Sequence, residues 1–285
     1  FFRNMEAMSK MEREEYVLQF HSKLVGGDVE AAEALLAEEP SLASTPTSGM
    51  LPLHSACEGG QLASFELMLP KFPEAVKQCS DDEDTCLHYA CVSGNAKLVA
   101  RVMEEAPELI SIKNGCDQLP LHLAAMSGNL ELVETILAAT PPGALDALGV
   151  QSHPLHMAAL SGNVALFELL MAKIPATWTL ATPDGQTFLH LAVMAEEQPV
   201  KMVQYLLANA PELATAKTTE GSPGSPPGCT PLHLAAMRGW LEVTKLLVEA
   251  APGLVAETDA ESRTALQYAL EGEEAEPVAA FLKSA

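Results

Sequence analysis

Apolar positions along the chain fall into two recurring kinds of stretch. One is short and compact, as in Leu53-His54-Ser55-Ala56 or Leu121-His122-Leu123-Ala124, where small residues follow a histidine. The other is longer, as in Leu130-Glu-Leu-Val-Glu-Thr-Ile-Leu137, and its apolar residues fall at helical spacing between charged ones. A glycine separates the first stretch from the second, and a proline follows the second. Glycine suits the left-handed stop of a helix, because no Cβ opposes that conformation. Proline cannot carry a helix onward. The pattern therefore predicts units of two antiparallel helices, each joined to the next by a polar, hairpin-like connector.

The spacing makes these units a repeat. His54, His88, His122, His156 and His190 stand 34 residues apart. His233 comes 43 residues later, Gln267 holds the same register another 34 on, and His21 lies 33 before His54. Glycine keeps step at Gly27, Gly60, Gly94, Gly128, Gly162 and Gly239, and proline at Pro40, Pro73, Pro107, Pro141, Pro175 and Pro252. Pro211 is late, which places an insertion near Glu196 to Pro199, and the remaining extra residues fall in Thr218 to Gly228. Ala56, Ala90, Ala124, Ala158, Ala192 and Ala235 let the first helix of each unit approach its neighbours closely. One such unit cannot bury its apolar face alone, so the units must stack.

Thr230-Pro-Leu-His-Leu-Ala-Ala236, with Gly239 and Leu241-Glu-Val-Thr-Lys-Leu-Leu247, resembles the ankyrin consensus almost residue for residue. Leu119-Pro-Leu-His-Leu-Ala-Ala125 and Thr187-Phe-Leu-His-Leu-Ala192 are close variants. The resemblance implies an all-α fold: an ankyrin-repeat α-solenoid with hairpin-like connectors, six full repeats and degenerate terminal caps. Residues 1–14 read as an N-terminal extension and 15–285 as a single array, with caps over about 15–48 and 260–285. The two ends of the array carry charges such as Glu12, Glu14 and Glu15 around the start of the first cap and Glu271, Glu273, Glu274 and Glu276 in the last, as the open ends of a stack require. Two departures stand out. The motif threonine is replaced by Leu51, Leu119 and His153, and the glycine five places before the histidine occurs only at Gly49, Gly185 and Gly228. Less regular hairpins are expected where that glycine is missing.

Composition narrows the function. Apolar residues make up 48% of the chain, enough for a buried core, and no apolar run approaches the ~18 residues of a membrane span. A formal charge of −22 repels nucleic-acid phosphates and anionic lipid and favours basic partners. Cys57, Cys79, Cys86, Cys91, Cys116 and Cys229 contain no C-x-x-C pair, so they read as buried or hairpin thiols of an intracellular, reducing compartment: cytoplasm, or organelle stroma or matrix. No nucleophile elbow, P-loop, zinc-protease or dinucleotide fingerprint occurs. Histidines a repeat apart form a row rather than a converging cluster. The resemblance implies that His54, His88, His122, His156, His190 and His233 link hairpin to helix by hydrogen bonds. No enzyme, metal or cofactor is expected.

Binding is expected instead. The resemblance implies contact through hairpin tips and through two positions just before the helix-ending glycine. The first of these positions holds Val92, Met126, Leu160, Met194 and Met237, an apolar stripe that Arg238 ends with a charge. Such a stripe suits an apolar peptide or an amphipathic helix; the alternative is that it pads contacts between repeats. Asp81, Asp82 and Asp84 make one hairpin tip acidic, without the alternating ligands and turn glycine of a calcium loop. Thr218 to Gly228, with Pro223 and Pro226, reads as an extended finger, and Trp240 stands where Asn95, Asn129 and Asn163 recur. His153, out of the row, is expected on a hairpin surface. The expected function is a protein-binding scaffold or adaptor for a basic or amphipathic segment. Two alternatives stay open: a peripheral subunit of a large organellar or membrane-associated assembly, and a regulatory segment of a larger channel, kinase or enzyme.

Overall fold

The computed structural model describes residues 9–141, 145, 153–174, 176–195, 199–220, 226–272 and 275–285. Pro175, Pro223, Glu273, Glu274 and most of the insertion after Ala195 lie outside the described residues. The chain divides into two compact units, Phe1–Asp146 and Ala147–Ala285. Sixteen α-helices and no strand are found among the described residues, and the hairpins contribute isolated bridges such as Cys79 to Thr85 and Ala181 to Thr187.

In the first unit the helices pair as α1 (Lys10–Gly26) with α2 (Val29–Glu38), α3 (Pro52–Glu58) with α4 (Leu62–Met68), α5 (Cys86–Ser93) with α6 (Ala96–Glu105), and α7 (Pro120–Met126) with α8 (Leu130–Ala139). The first members stack in order, α1 on α3 on α5 on α7, and the second members form a parallel layer behind them. The second unit repeats the plan with α9 (Pro154–Ser161) and α10 (Val164–Lys173), α11 (Phe188–Met194) and α12 (Val200–Asn209), α13 (Pro231–Met237) and α14 (Leu241–Ala250), then α15 (Ala265–Glu271) and α16 (Glu276–Ser284). Here α9, α11, α13 and α15 stack in sequence.

Local chemistry explains where each helix begins and ends. Pro52, Pro120, Pro154 and Pro231 open α3, α7, α9 and α13, where the missing N–H costs nothing. Ser9 and Glu12 form a reciprocal capping box at α1, and Gly27 ends it at φ 74°. Asn95 begins α6 by accepting from Lys97 and Leu98 N–H, while its amide donates 2.8 Å to the Gly60 carbonyl of the preceding repeat. Asn129 does the same toward Gly94 at 2.9 Å. The core is mostly Leu, Val and Ala, with Phe20, Phe65, Phe167 and Phe188 as its largest fully buried members, and each large apolar side chain contributes about 1.5–3 kcal/mol on burial.

Two expectations need correction. The connector is not wholly polar: the proline after the second helix opens a short 3₁₀ turn, as at Pro73–Lys77 and Pro107–Ser111, which buries Ala75, Val76, Leu109 and Ile110. Nor are the described hairpins lacking glycine irregular; the one with Gln151 at that position lies outside the described residues. Glu83, Asp117 and Ser262 adopt φ 61°, 60° and 63°, the left-handed conformation that Gly49, Gly185 and Gly228 hold elsewhere. The stack imposes the turn, and the residue carries the strain.

Candidate functional site

Histidine side chains tie each hairpin to the helix it leads into. The backbone N–H of Thr85, Leu119, Thr187 and Thr230 donates to Nδ1 of His88, His122, His190 and His233 at 2.9–3.2 Å, and Leu51 N–H to His54 likewise at 3.2 Å. The opposite nitrogen reaches a carbonyl of the next connector: His54 to Gln78 at 2.9 Å, His88 to Gln118 at 3.0 Å, His190 to Cys229 and His233 to Arg263 both at 3.1 Å, and His156 to Leu180 at 3.5 Å. A carbonyl only accepts, so Nε2 carries the proton and Nδ1 accepts. These rings are neutral ties. Burial pushes His88 and His233 down and takes His190 to about 4. His54 moves the other way: burial lowers it, but Cys86, the Gln78 carbonyl and Asp84 together raise it above the free value.

That neighbourhood holds a cluster the sequence did not flag. Cys57, Cys86 and Cys91 lie fully buried near His54 between α3 and α5. Burial favours the Cys86 thiol, yet the neighbouring Cys57 and His54 pull it below its usual range. None of these sulfurs meets solvent, and among the described residues no group of three or more His, Cys, Asp or Glu is placed to hold a metal ion.

The apolar stripe behaves differently in the two units. In the first, Val92 is 47% exposed and Met126 41%, among the few large apolar side chains left open to water. Tyr89 lies one turn before Val92 on α5, half-buried, its ring 5.5 Å from that of His54. Glu58 takes the corresponding place on α3 and is exposed. In the second unit Leu160, Met194 and Met237 are half-buried. Arg238 is engaged there: it donates 2.6 Å to the Met194 carbonyl at the end of α11, and its guanidinium covers the Trp240 ring at 5.5 Å. Trp240 is thereby half-covered and gives α14 no side-chain cap.

Acidic tips flank the open part of the stripe. Asp81 and Asp82 are exposed and Asp84 half-buried, while backbone bonds from Asp81 to Gly49 (3.2 Å) and from Gly115 to Asp82 (3.0 Å) pin successive tips together. Asp84 accepts 2.8 Å from the Asn114 amide. Among the described residues, none of Glu58, Asp81, Asp82, Glu83 or Asp84 has a cation within ion-pair distance. Their field reaches the stripe: burial raises the Tyr89 hydroxyl, a hydrogen bond with Ser80 lowers it, and the carboxylates of Asp84, Asp82 and Glu58 raise it.

The finger is described only at its base. Thr218, 4% exposed, donates 2.7 Å to the Pro226 carbonyl and accepts 3.0 Å from Cys229 N–H, while its backbone pairs with Cys229 and Gly228. Thr219 N–H bonds the Asp184 carbonyl of the hairpin before, and Ala260 N–H the Pro227 carbonyl from the hairpin after. Pro226 is thus anchored by Thr218, the finger's first residue, whose buried hydroxyl closes the base of the insertion. His153 is a correction: it is buried, not on the surface, because its Nδ1 accepts from Leu155 N–H at 3.3 Å and caps α9.

Comparison with known proteins agrees with this geometry. A family model described as ankyrin repeats (3 copies) matches residues 18–113, 72–144, 121–217 and 213–285. A solved structure, the crystal structure of human ASB11 ankyrin repeat domain, superposes with a TM-score of 0.58 at 23% identity, covering 80% of this chain and 96% of that one. No curated protein sequence matches. No helix among the described residues is long and apolar enough to cross a membrane.

Proposed function

Because the chain belongs to the ankyrin-repeat family, whose repeats are protein-interaction modules, we propose that it is a non-catalytic adaptor that binds a basic, amphipathic segment of another protein on the first unit. The observation that carries this reading is the pairing of open apolar side chains, Val92 and Met126, with carboxylates that have no cation of their own among the described residues. Apolar contact provides affinity there, and the unpaired acids select against acidic partners and speed the approach of basic ones. The second unit, whose stripe is half-covered and locked by Arg238, acts as framework. Six free thiols, with Cys79 and Cys116 exposed, fit a reducing intracellular compartment.

The test is selection of a displayed library of helical peptides against the whole chain. Wild type is expected to enrich Lys- and Arg-rich peptides with an apolar face. Val92→Glu with Met126→Glu is expected to enrich none while keeping its circular dichroism, and Asp81→Asn, Asp82→Asn and Asp84→Asn together to lose the basic preference. An enriched set unchanged by both variants overturns the reading.

A further inference from the structure

On the proposal that this face binds a basic amphipathic segment, we infer the register of the ligand: an α-helix laid across α3, α5 and α7, with Lys or Arg over Glu58 and apolar residues seven and fourteen places further on over Val92 and Met126. The argument begins with the equivalence of the three positions. Glu58, Val92 and Met126 each stand four residues after the histidine of their repeat. They are exposed on neighbouring helices of one stack, and that stack lies within one compact unit. Packed helix axes are about 8–10 Å apart. Seven residues of an α-helix advance about 10.5 Å and return to nearly the same face. A strand offers same-face residues at about 7 or 13 Å, and so misses the rows; a polyproline helix offers them at about 9 Å but has no macrodipole to set against the acids at the head of the row, which favours the α-helix.

The order of the ligand's side chains follows from chemistry. The residue over α3 meets a carboxylate that has no cation partner among the described residues. Its charge acts on the Tyr89 hydroxyl of α5, together with those of Asp82 and Asp84. A guanidinium or ammonium placed there gains a charge partner and an aromatic face. The next two rows offer Val92 beside Tyr89, and Met126 beside Leu123, which is 8% exposed. Methionine adapts to the shape of whatever apolar residue arrives. Ser93 and Ser127, on the side away from the hairpins, are small enough to admit a cylinder about 10 Å across. Helix polarity is set by the same acids. The positive end of the helix dipole belongs over Glu58 and the acidic tips, so the ligand runs from its N-terminus at α3 toward α7.

Fluorescence anisotropy with synthetic helical peptides on an Ala/Gln background tests this with the full chain. The first probe carries Lys, then Leu seven and fourteen residues on. The second has the same composition with the leucines moved to five and ten residues on. The third replaces Lys by Glu in the first. The first is expected to bind at least about tenfold more tightly than either of the others. Glu58→Lys is expected to reverse the preference between first and third. Equal binding of the first two probes, or tighter binding of a proline-rich peptide with an apolar residue at every third position, overturns the register while leaving the binding face in place. Failure of Glu58→Lys to reverse the preference overturns the cation seat. Undiminished binding of the first probe to Val92→Glu with Met126→Glu overturns the face itself, and with it the function proposed above.

Discussion

Replacing His190 by glutamine separates the two halves of the histidine tie and makes stability depend on pH in a calculable way. Burial holds the His190 ring at about 4, against 6.5 for the free side chain, so the folded state keeps it neutral while the unfolded state protonates it on acidification. A depressed value means that the stability is fully present above pH 6.5 and is lost as pH falls toward 4. The gap between 6.5 and about 4 corresponds to about 3 kcal/mol in all, of which about 2 kcal/mol is already lost at pH 5. Glutamine is a replacement the chain itself supplies. Gln267 stands in the same register, and its Oε1 accepts from Thr264 N–H at 2.8 Å, as His190 Nδ1 accepts from Thr187.

His190→Gln therefore keeps the bond to the helix start and loses the one to the Cys229 carbonyl. That carbonyl retains Thr218 N–H at 3.0 Å, so the loss is that of one neutral hydrogen bond, about 1 kcal/mol. At about pH 8 the variant is expected to be less stable than wild type by that amount. At pH 5 the wild type has lost about 2 kcal/mol that the variant, with no ring to protonate, has not. The two stability curves should cross between pH 5 and 6.5, the variant being the more stable on the acid side. Urea unfolding of both proteins across this range measures it, with imidazole nitrogen shifts following the ring directly. Taking the difference between the two proteins cancels the carboxylates that titrate in both. A difference that stays constant from pH 8 to pH 5 would refute the reasoning, because it would mean that the ring is not held neutral by burial.

Two further outcomes follow from the backbone. Glu83→Gly should raise the thermal midpoint, since the residue sits at φ 61° among three other acids, and release of left-handed strain is worth about 1 kcal/mol even after the entropy cost of glycine; no gain on calorimetry would show that the turn is not strained. Asn95→Ala should cost about 1–2 kcal/mol in chemical denaturation, as it removes both the cap of α6 and the 2.8 Å bond to the Gly60 carbonyl.

The framework was legible because each part of it is a local requirement repeated in phase. A histidine that must reach a helix start and the next connector can occupy only one place in the unit, so a spacing of 34 residues exposes it. Glycine at a left-handed helix end is equally local. The hairpins misled for the opposite reason: Glu83, Asp117 and Ser262 take the left-handed turn because neighbouring hairpins hold it through bonds such as Gly115 N–H to the Asp82 carbonyl, and such bonds leave no mark on the residue itself. His153 misled for another reason: it stands in the place of the motif threonine directly before Pro154 and caps α9 through Leu155 N–H, a local role that the spacing of the histidine row does not display.

The candidate site was half legible, and what was hidden bears most on function. Spacing assigned Val92, Met126, Leu160, Met194 and Met237 to one stripe and gave them equal weight. Their exposure differs because it depends on what lies beside each one. Arg238 reaches back to the Met194 carbonyl and lies on Trp240, tying the second unit's stripe into its own stack. Glu58, which breaks the apolar pattern on α3, was left out of the stripe for that reason. In the structure it is the exposed carboxylate at the head of the row, and its charge acts on the Tyr89 hydroxyl together with those of Asp82 and Asp84. A position that departs from its repeat while keeping its place on the face is where specificity enters, because the fold is equally satisfied by either residue there and only a partner distinguishes them.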